Sequence, residues 1–557
     1  MILNTIFFLS YFYLILFSIL GYGLVYSKLI DLEYKSLDFG IIGILGCFAC
    51  TTIALLTNLF FPHNFIHNLI TNLIGIIFFV YFSQKNIKIY KRQILRLFLL
   101  SLLLILLLFI SKNNEDFPYY HLPFMINLID SKMQFGMGHF NYSFRTPSSL
   151  FYLQSLFYLP GIKYYLLHSS GLIILIFSNF FLLENFIFNQ TKNNFSKYFS
   201  FLIFIFINLF FISLAKYGTD RAGHIIAFMI FIFFLNIINL KENFLSNCKI
   251  LIVLILFLVS IKSYFLPYLS LFFLLLYMII INKKLIIFLQ NIKLFIFSFL
   301  FFLLYLFHNF AISACFLPLL KFTCFDKLFW STSLDTIDHY NKWYELWAKA
   351  GATPNYRVSN PIEYVQNLNW LTNWINNYFF TKGSDVLSGI IAICMFLLIS
   401  FFFLKKKIIK STNKYFLLYI FIILFFLIWF LKHPDLRYGG YALVASLFFI
   451  PLSFVLSKYN LKNRNFFIAI GLLIIFSANI RNIIRILDEY KRNDSFVYKN
   501  FPFFYIKNVE YETKVIQHNV KIHIVNQACW AVPSPCLSNN INVSKINGYN
   551  FYYPLDR

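Results

Sequence analysis

Acidic residues are scarce in this chain. Only 22 Asp and Glu stand against 47 Lys and Arg, and charged residues together make up 12% of 557. A water-soluble domain carries about a quarter, so a fold surrounded by water is excluded. Walker A loops are missing, which removes an ATP-driven pump, and G-x-S-x-G, H-E-x-x-H and C-x-x-C-H are missing too. Their loss removes the hydrolase, zinc-protease and c-type haem chemistries that those motifs signal. The net charge of +25 has no long basic arm behind it. Lys and Arg fall in short stretches between apolar runs, so they read as membrane topology signals facing anionic lipid and not as a nucleic-acid surface.

Apolar residues are what is abundant: 60% of the chain, with mean hydropathy +0.71. The 76 Phe and 37 Tyr, with many Ile, Lys and Asn, fit a low-GC coding sequence. Apolar runs of roughly 18 residues recur, each long enough to cross a bilayer. They are continuous, not alternating, which selects helices over a closed barrel. The expected fold is an all-α polytopic membrane protein of about fourteen spans (12–14). They lie near 6–27, 40–61, 66–83, 95–111, 166–188, 198–215, 222–240, 249–265, 266–282, 293–314, 386–404, 414–432, 438–457 and 465–483. The pair around Pro267 reads alternatively as one broken element, and 149–165 as interfacial or re-entrant. The first run lacks a basic n-region and exceeds an h-region in length, so no cleavable signal is expected.

Four basic connections, at 85–96, 283–293, 405–414 and 458–464, fall on one side when the spans are counted. That side is expected to be cytoplasmic. Both termini and the polar regions 112–148, 315–385 and 484–557 then face outward, as in a multi-pass protein of the bacterial inner membrane. Cys315 and Cys324, then Cys529 and Cys536, fall in these outer regions, where an oxidising compartment favours two short-loop disulfides. Zinc is the competing reading, against which C-x₈-C and C-x₆-C lack the close pair spacing. Residues 1–483 thus form a transmembrane domain. The tail 484–557, with the strand-like "VKIHIV" and turn signals "SPC" and "NG", reads as a small external domain.

Three outward stretches could carry chemistry. In "NNEDFPYYHLPF" (113–124), Asp116 and Glu115 stand just outside a span, where a carboxylate can act as a general base on a sugar hydroxyl. His121 adds a group that titrates near neutrality, and Tyr120 a ring for stacking. The bland alternative is a solvated interfacial loop with an aromatic belt. In "GMGHFNYSFRTPSSLFYL" (136–153), His139 and Asn141 accompany Arg145, whose guanidinium suits a phosphate; snorkelling to lipid is the alternative. In "KHPDLRYGGYAL" (432–443), Arg437 and Tyr438 open a span on the side where topogenic cations are not expected. A lesser stretch, "KYGTDRAGH" (216–224), holds Asp220 and Arg221, read as a self-satisfied pair. The Trp-rich part of 315–385 reads as amphipathic helices on the outer leaflet, with a roof over a cavity as the alternative.

An acid in the first large outer loop, many short inner loops and an Arg-Tyr at a late outer turn resemble the GT-C superfamily of membrane glycosyltransferases. More closely, four elements in order resemble an uncharacterised family of bacterial polytopic membrane proteins. They are the "YHLP" loop with "GMGHFNYSFRTPSS", "ISACFLPLLKFTCFDKLFW", "HPDLRY" and the Cys-Trp tail "ACWAVPSPC". The GT-C resemblance implies a core over about 95–483 and transfer of a sugar from a polyprenyl-phosphate-linked donor to a glycan or lipid acceptor. The product is a cell-envelope polysaccharide or glycolipid. Asp116, then Glu115, would be the base, and Tyr120, His121, His139, Asn141, Arg145, Arg437 and Tyr438 would bind substrate. No cofactor motif is present; a divalent metal is left open. Three spans precede the one leading into the acidic loop, where GT-C proteins have one. An O-antigen polymerase or ligase, or a flippase of lipid-linked glycans, are the alternatives. Sparse charge within the spans argues against the flippase.

Overall fold

A computed structural model describes residues 2–110, 116–188, 194–215, 218–239, 243–352, 358, 360–402, 415–459, 464–491, 501–537 and 541–555. Glu115 and the basic stretch 405–414 lie outside the described residues. Among those described, eleven helices are long and apolar enough to cross a membrane. Asn194–Phe210, Phe416–Lys432 and Gly440–Leu456 are apolar but shorter. The chain is a mainly helical, multi-pass membrane protein.

Burial divides these helices into an inner and an outer set. Phe39–Asn58, Tyr164–Phe188, Asp220–Ile238 and Phe244–Ile261 are covered almost all round, whereas Phe65–Lys85 and Arg464–Glu489 leave apolar faces outward. Outward Ile, Leu and Phe are what a lipid-facing helix needs. The first three helices meet through glycine. A Cβ on Gly23 would lie 1.9 Å from the Ile42 carbonyl oxygen, and one on Gly46 would lie 2.0 Å from that of Ile19. Asp38 caps Phe39–Asn58 by accepting from the Ile41 N–H at 3.0 Å.

Two expectations shift. The break between the eighth and ninth runs falls at Lys262, extended between Phe244–Ile261 and the turn Ser263–Ser270, and not at Pro267. Lys262 therefore leaves the helical stack for its mouth. Residues Ser149–Ser155, the first part of the run 149–165, form a short helix that is wholly buried among its neighbours and does not lie on the protein surface.

The tail is β-structured. Glu512–Val515 pairs antiparallel with Lys521–Ile524, which runs parallel to Cys536–Leu537, and Ile541–Ile546 forms a hairpin with Tyr549–Pro554. Asn547 and Gly548, both at positive φ, make the two-residue turn that "NG" signals. This tail packs into the polar region after the fourth span. Phe551 stacks on Phe135 at 4.2 Å, and the Phe135 carbonyl accepts from the Tyr552 N–H at 2.9 Å. Phe504, Ile522, Trp530 and Tyr552 belong to the same buried core as the helices. Cys315 is bonded to Cys324 and Cys529 to Cys536.

Candidate functional site

Asp116 opens a wide helical turn, Phe117–His121, where Pro118 cannot donate to a regular ladder. The tail holds that turn from above: the Trp530 N–H donates to the Pro118 carbonyl at 3.0 Å, and the Trp530 ring meets Phe117 edge-on at 5.9 Å. From the side, the Asn141 amide donates to the Tyr119 carbonyl at 3.1 Å. The second wall is the turn Leu436–Tyr438. Its backbone is fixed by indole and phenol groups: Trp374 donates to the Pro434 carbonyl and Trp429 to that of Asp435, both at 2.8 Å, while Tyr378 donates to the Asp435 carboxylate at 2.8 Å. His224 completes the anchor. Its Nδ1 accepts from the Ala442 N–H at 3.3 Å, which leaves Nε2 to donate to the Arg437 carbonyl at 3.1 Å.

Between these walls lies a cavity of about 710 Å³, reached by side chains from five separate connections. Arg437 is its centre. The guanidinium stands 3.9 Å from Asp116 Oδ2, 3.6 Å from Asp220 Oδ2 and 4.0 Å from Asp435 Oδ2, and donates to the Tyr438 hydroxyl at 3.2 Å. Its flat face lies 5.2 Å from the Trp347 ring. Burial opposes the Arg437 charge, but Tyr438, Asp220 and Asp435 more than offset it, and the group is held firmly protonated.

The two carboxylates differ. Asp220 accepts from the Tyr264 hydroxyl at 3.2 Å and pairs with Lys262 at 3.6 Å as well as with Arg437; its side chain is 18% exposed. Asp116, at 38%, faces the open cavity. Burial, then the Asp116 charge, raises Tyr120 well above the usual phenol value and raises Tyr344 in the same way. Asp116 and Asp220 both take part in ion pairs with Arg437, and the described residues contain no group of three or more His, Cys, Asp and Glu placed to hold a metal ion.

Several sequence expectations need correction here. Asp220 and Arg221 do not satisfy each other: Asp220 turns to Lys262 and Arg437, and Arg221 lies 3.7 Å over the Tyr441 ring. Adjacent helical positions point apart, so a neighbouring opposite charge is a poor partner. His139 donates from Nε2 to the Trp330 carbonyl at 3.1 Å, and with Asn141 it braces the loops and does not line the cavity. Arg145 is also set back. Its Nε donates to the Gly138 carbonyl at 3.2 Å, and its guanidinium lies between Tyr142 and Tyr340, 4.8 and 5.1 Å from their rings. The Trp-rich helix Leu334–Lys349 turns Trp343, Tyr344 and Trp347 into the cavity, as a roof. Glu345 holds it there through Lys432 at 3.7 Å.

His121 is not a neutral-pH titrator. It is buried between Tyr120 and Phe151, and burial, then the nearby Lys262 charge, depresses it to about 3. The unfolded chain takes up this proton below about pH 6.5, so the stability contributed by the neutral ring is complete above that value and is lost as pH falls toward 3. By linkage, His121→Phe should recover on the order of 2 kcal/mol at pH 5 relative to pH 7.5. Melting curves of the detergent-solubilised protein at the two pH values check this; equal pH slopes for variant and wild type would count against it.

Sequence reasoning found Asp116, Tyr120, His121, Arg437 and Tyr438 on this wall and missed Lys262, Tyr264, His433 and the firm role of Asp220. The usable signal was a second acid at a span mouth, at Asp220. Comparison with curated proteins and with solved structures returns no match. Residues 5–444, well over half of the chain, match the family described as a domain of unknown function (DUF8201), and the protein belongs to that family.

Proposed function

We propose that the chain is a GT-C-like membrane glycosyltransferase, moving a sugar from a polyprenyl-phosphate-linked donor to a cell-envelope glycan or glycolipid. The observation that carries this reading is the meeting of Asp116, Asp220 and Arg437 within 4.0 Å at one polar, aromatic cavity at the mouth of the helical stack. The disulfides and the tail belong to connections at the cavity's end of the spans, and Lys85, Lys283, Lys284 and Lys458 to the other. That supports an outward, periplasmic cavity.

In this mechanism Asp116 takes the proton of an acceptor hydroxyl as its oxygen attacks the anomeric carbon. The bond from that carbon to the phosphate oxygen breaks, and the leaving lipid phosphate keeps the electron pair. Arg437 and Lys262 stabilise its charge. Asp220 positions both cations and is not the base, because its two oxygens already serve them and Tyr264.

The test is Asp116→Asn, isosteric but unable to accept the proton. Transfer should fall by about 10²–10⁴-fold, seen as loss of the envelope glycan in a strain carrying the variant. Intact glycans with Asp116→Asn, alongside their loss with Arg437→Ala, would move the reading to a polymerase or ligase that works through cations.

A further inference from the structure

The roof helix Leu334–Lys349 carries an unbroken aromatic stripe at i, i+3, i+4 and i+7: Tyr340, Trp343, Tyr344 and Trp347. One end meets the Arg145 guanidinium, 5.1 Å from Tyr340, and the other meets Arg437, 5.2 Å from Trp347. Seven residues of helix span about 10 Å. The indoles of Trp343 and Trp347 are nearly parallel, 21° apart with centroids 6.4 Å apart, and Trp343 remains 39% exposed. Both indoles line the cavity that holds Asp116 and Asp220.

We propose that this stripe is a carbohydrate-stacking platform that binds the acceptor as an extended glycan, with Trp347 beside the reacting end and Trp343 holding the next sugar outward. The assignment deepens the glycosyltransferase reading and rests on it for the identity of the reacting end. A pyranose has an apolar C–H face and a rim of hydroxyls, so it needs ring faces flanked by hydrogen-bonding groups. The cavity supplies both. Ser143 and Thr146 line the same space as the indoles. An isoprenoid chain needs the opposite, and among the described residues that line the cavity Leu319 is the only aliphatic side chain. The lipid of a donor therefore lies outside this cavity and its sugar within.

The platform is fixed to the catalytic wall, not merely near it. Ser333 caps the helix by accepting from the Thr336 N–H at 3.3 Å. Lys349, buried at its far end, donates to Glu345 at 2.7 Å and to the Val365 carbonyl at 3.3 Å. The ring of Tyr340 meets Tyr142 at 4.2 Å, so the stripe also touches the segment whose Asn141 braces the Asp116 turn.

The experiment measures binding to the full chain in lipid nanodiscs, using free mono- to tetrasaccharides of hexoses and N-acetylhexosamines, and farnesyl phosphate as a sugar-free lipid phosphate. At least one oligosaccharide should bind more tightly than its monosaccharide. Trp343→Leu, which keeps apolar bulk but lacks a flat face, should weaken it about tenfold, whereas Trp343→Phe should restore most of the loss. Farnesyl phosphate binding should be unchanged in both variants. No saccharide binding by the wild type, or equal binding by Trp343→Leu, overturns the platform. Saccharide binding through Trp343 combined with full transfer by Asp116→Asn would leave the platform standing and remove the base assignment instead.

Discussion

Arg437→Ala is expected to lower the proposed glycosyl transfer by about 10²–10³-fold while costing little stability. The two effects separate because the groups around Arg437 have other partners. Asp220 keeps Lys262 and Tyr264, and Asp435 keeps the Tyr378 hydroxyl and the backbone N–H of residue 437. No carboxylate is left buried without a donor, which is the circumstance that makes loss of an ion-pair partner expensive. The side chain is also 39% exposed, so water screens its pairings. The proposed transfer depends on Arg437 more directly, because its guanidinium pairs with both Asp116 and Asp220. Arg437→Lys should recover only part of the activity, because an ammonium cannot face two carboxylates with a planar fork. Glycan analysis of the variant strains, alongside melting temperatures of the purified proteins, checks both halves. A large fall in melting temperature with unchanged glycans would reverse the assignment.

Gly23→Ala is expected to have the largest effect on folding, at least about 3 kcal/mol, enough to abolish the monodisperse protein in detergent. The added Cβ would sit 1.9 Å from the Ile42 carbonyl oxygen, a backbone atom that cannot rotate away. Relief requires the first two helices to part, and Gly46 against Ile19 and Gly21 against Gly75 make contacts equally close. Close backbone approach is how helices without a hydrophobic driving force hold together in lipid. Gly471→Ala is the control. Its Cβ meets only Phe204 Cε1 at 3.8 Å, so it should be neutral or stabilising by up to about 1 kcal/mol through helix propensity. Size-exclusion profiles of the two variants decide the matter, and similar behaviour would show that glycine packing is not what holds the first three helices.

Helices and their approximate ends were legible because the signal is local. A continuous apolar run in lipid has few structures open to it, whatever its neighbours do. The run reading started the span near 222, and the helix opens at Asp220; it read 249–265 as one span, and the chain breaks at Lys262. Those few residues matter, because the ends of spans are where charges can sit without the full cost of the bilayer. Asp220 and Lys262 were lost from the site for that reason.

The sequence by itself determined that the chain is membrane-embedded, that its polar chemistry gathers at span mouths, and that Asp116 and Arg437 are candidate site residues. Charge patterning and hydropathy act residue by residue, so one strand of text contains them. Only the tertiary structure decided which mouths meet. It joined Asp116, Asp220, Lys262 and Arg437, drawn from positions more than 300 residues apart, and set Arg145 behind Tyr340. It turned the tryptophans of the roof helix inward where an amphipathic pattern fits a lipid surface equally well. It also buried His121 and so removed the neutral-pH titration that its residue type suggested. Each of these outcomes depends on what packs against a side chain, and that partner is chosen by the whole fold.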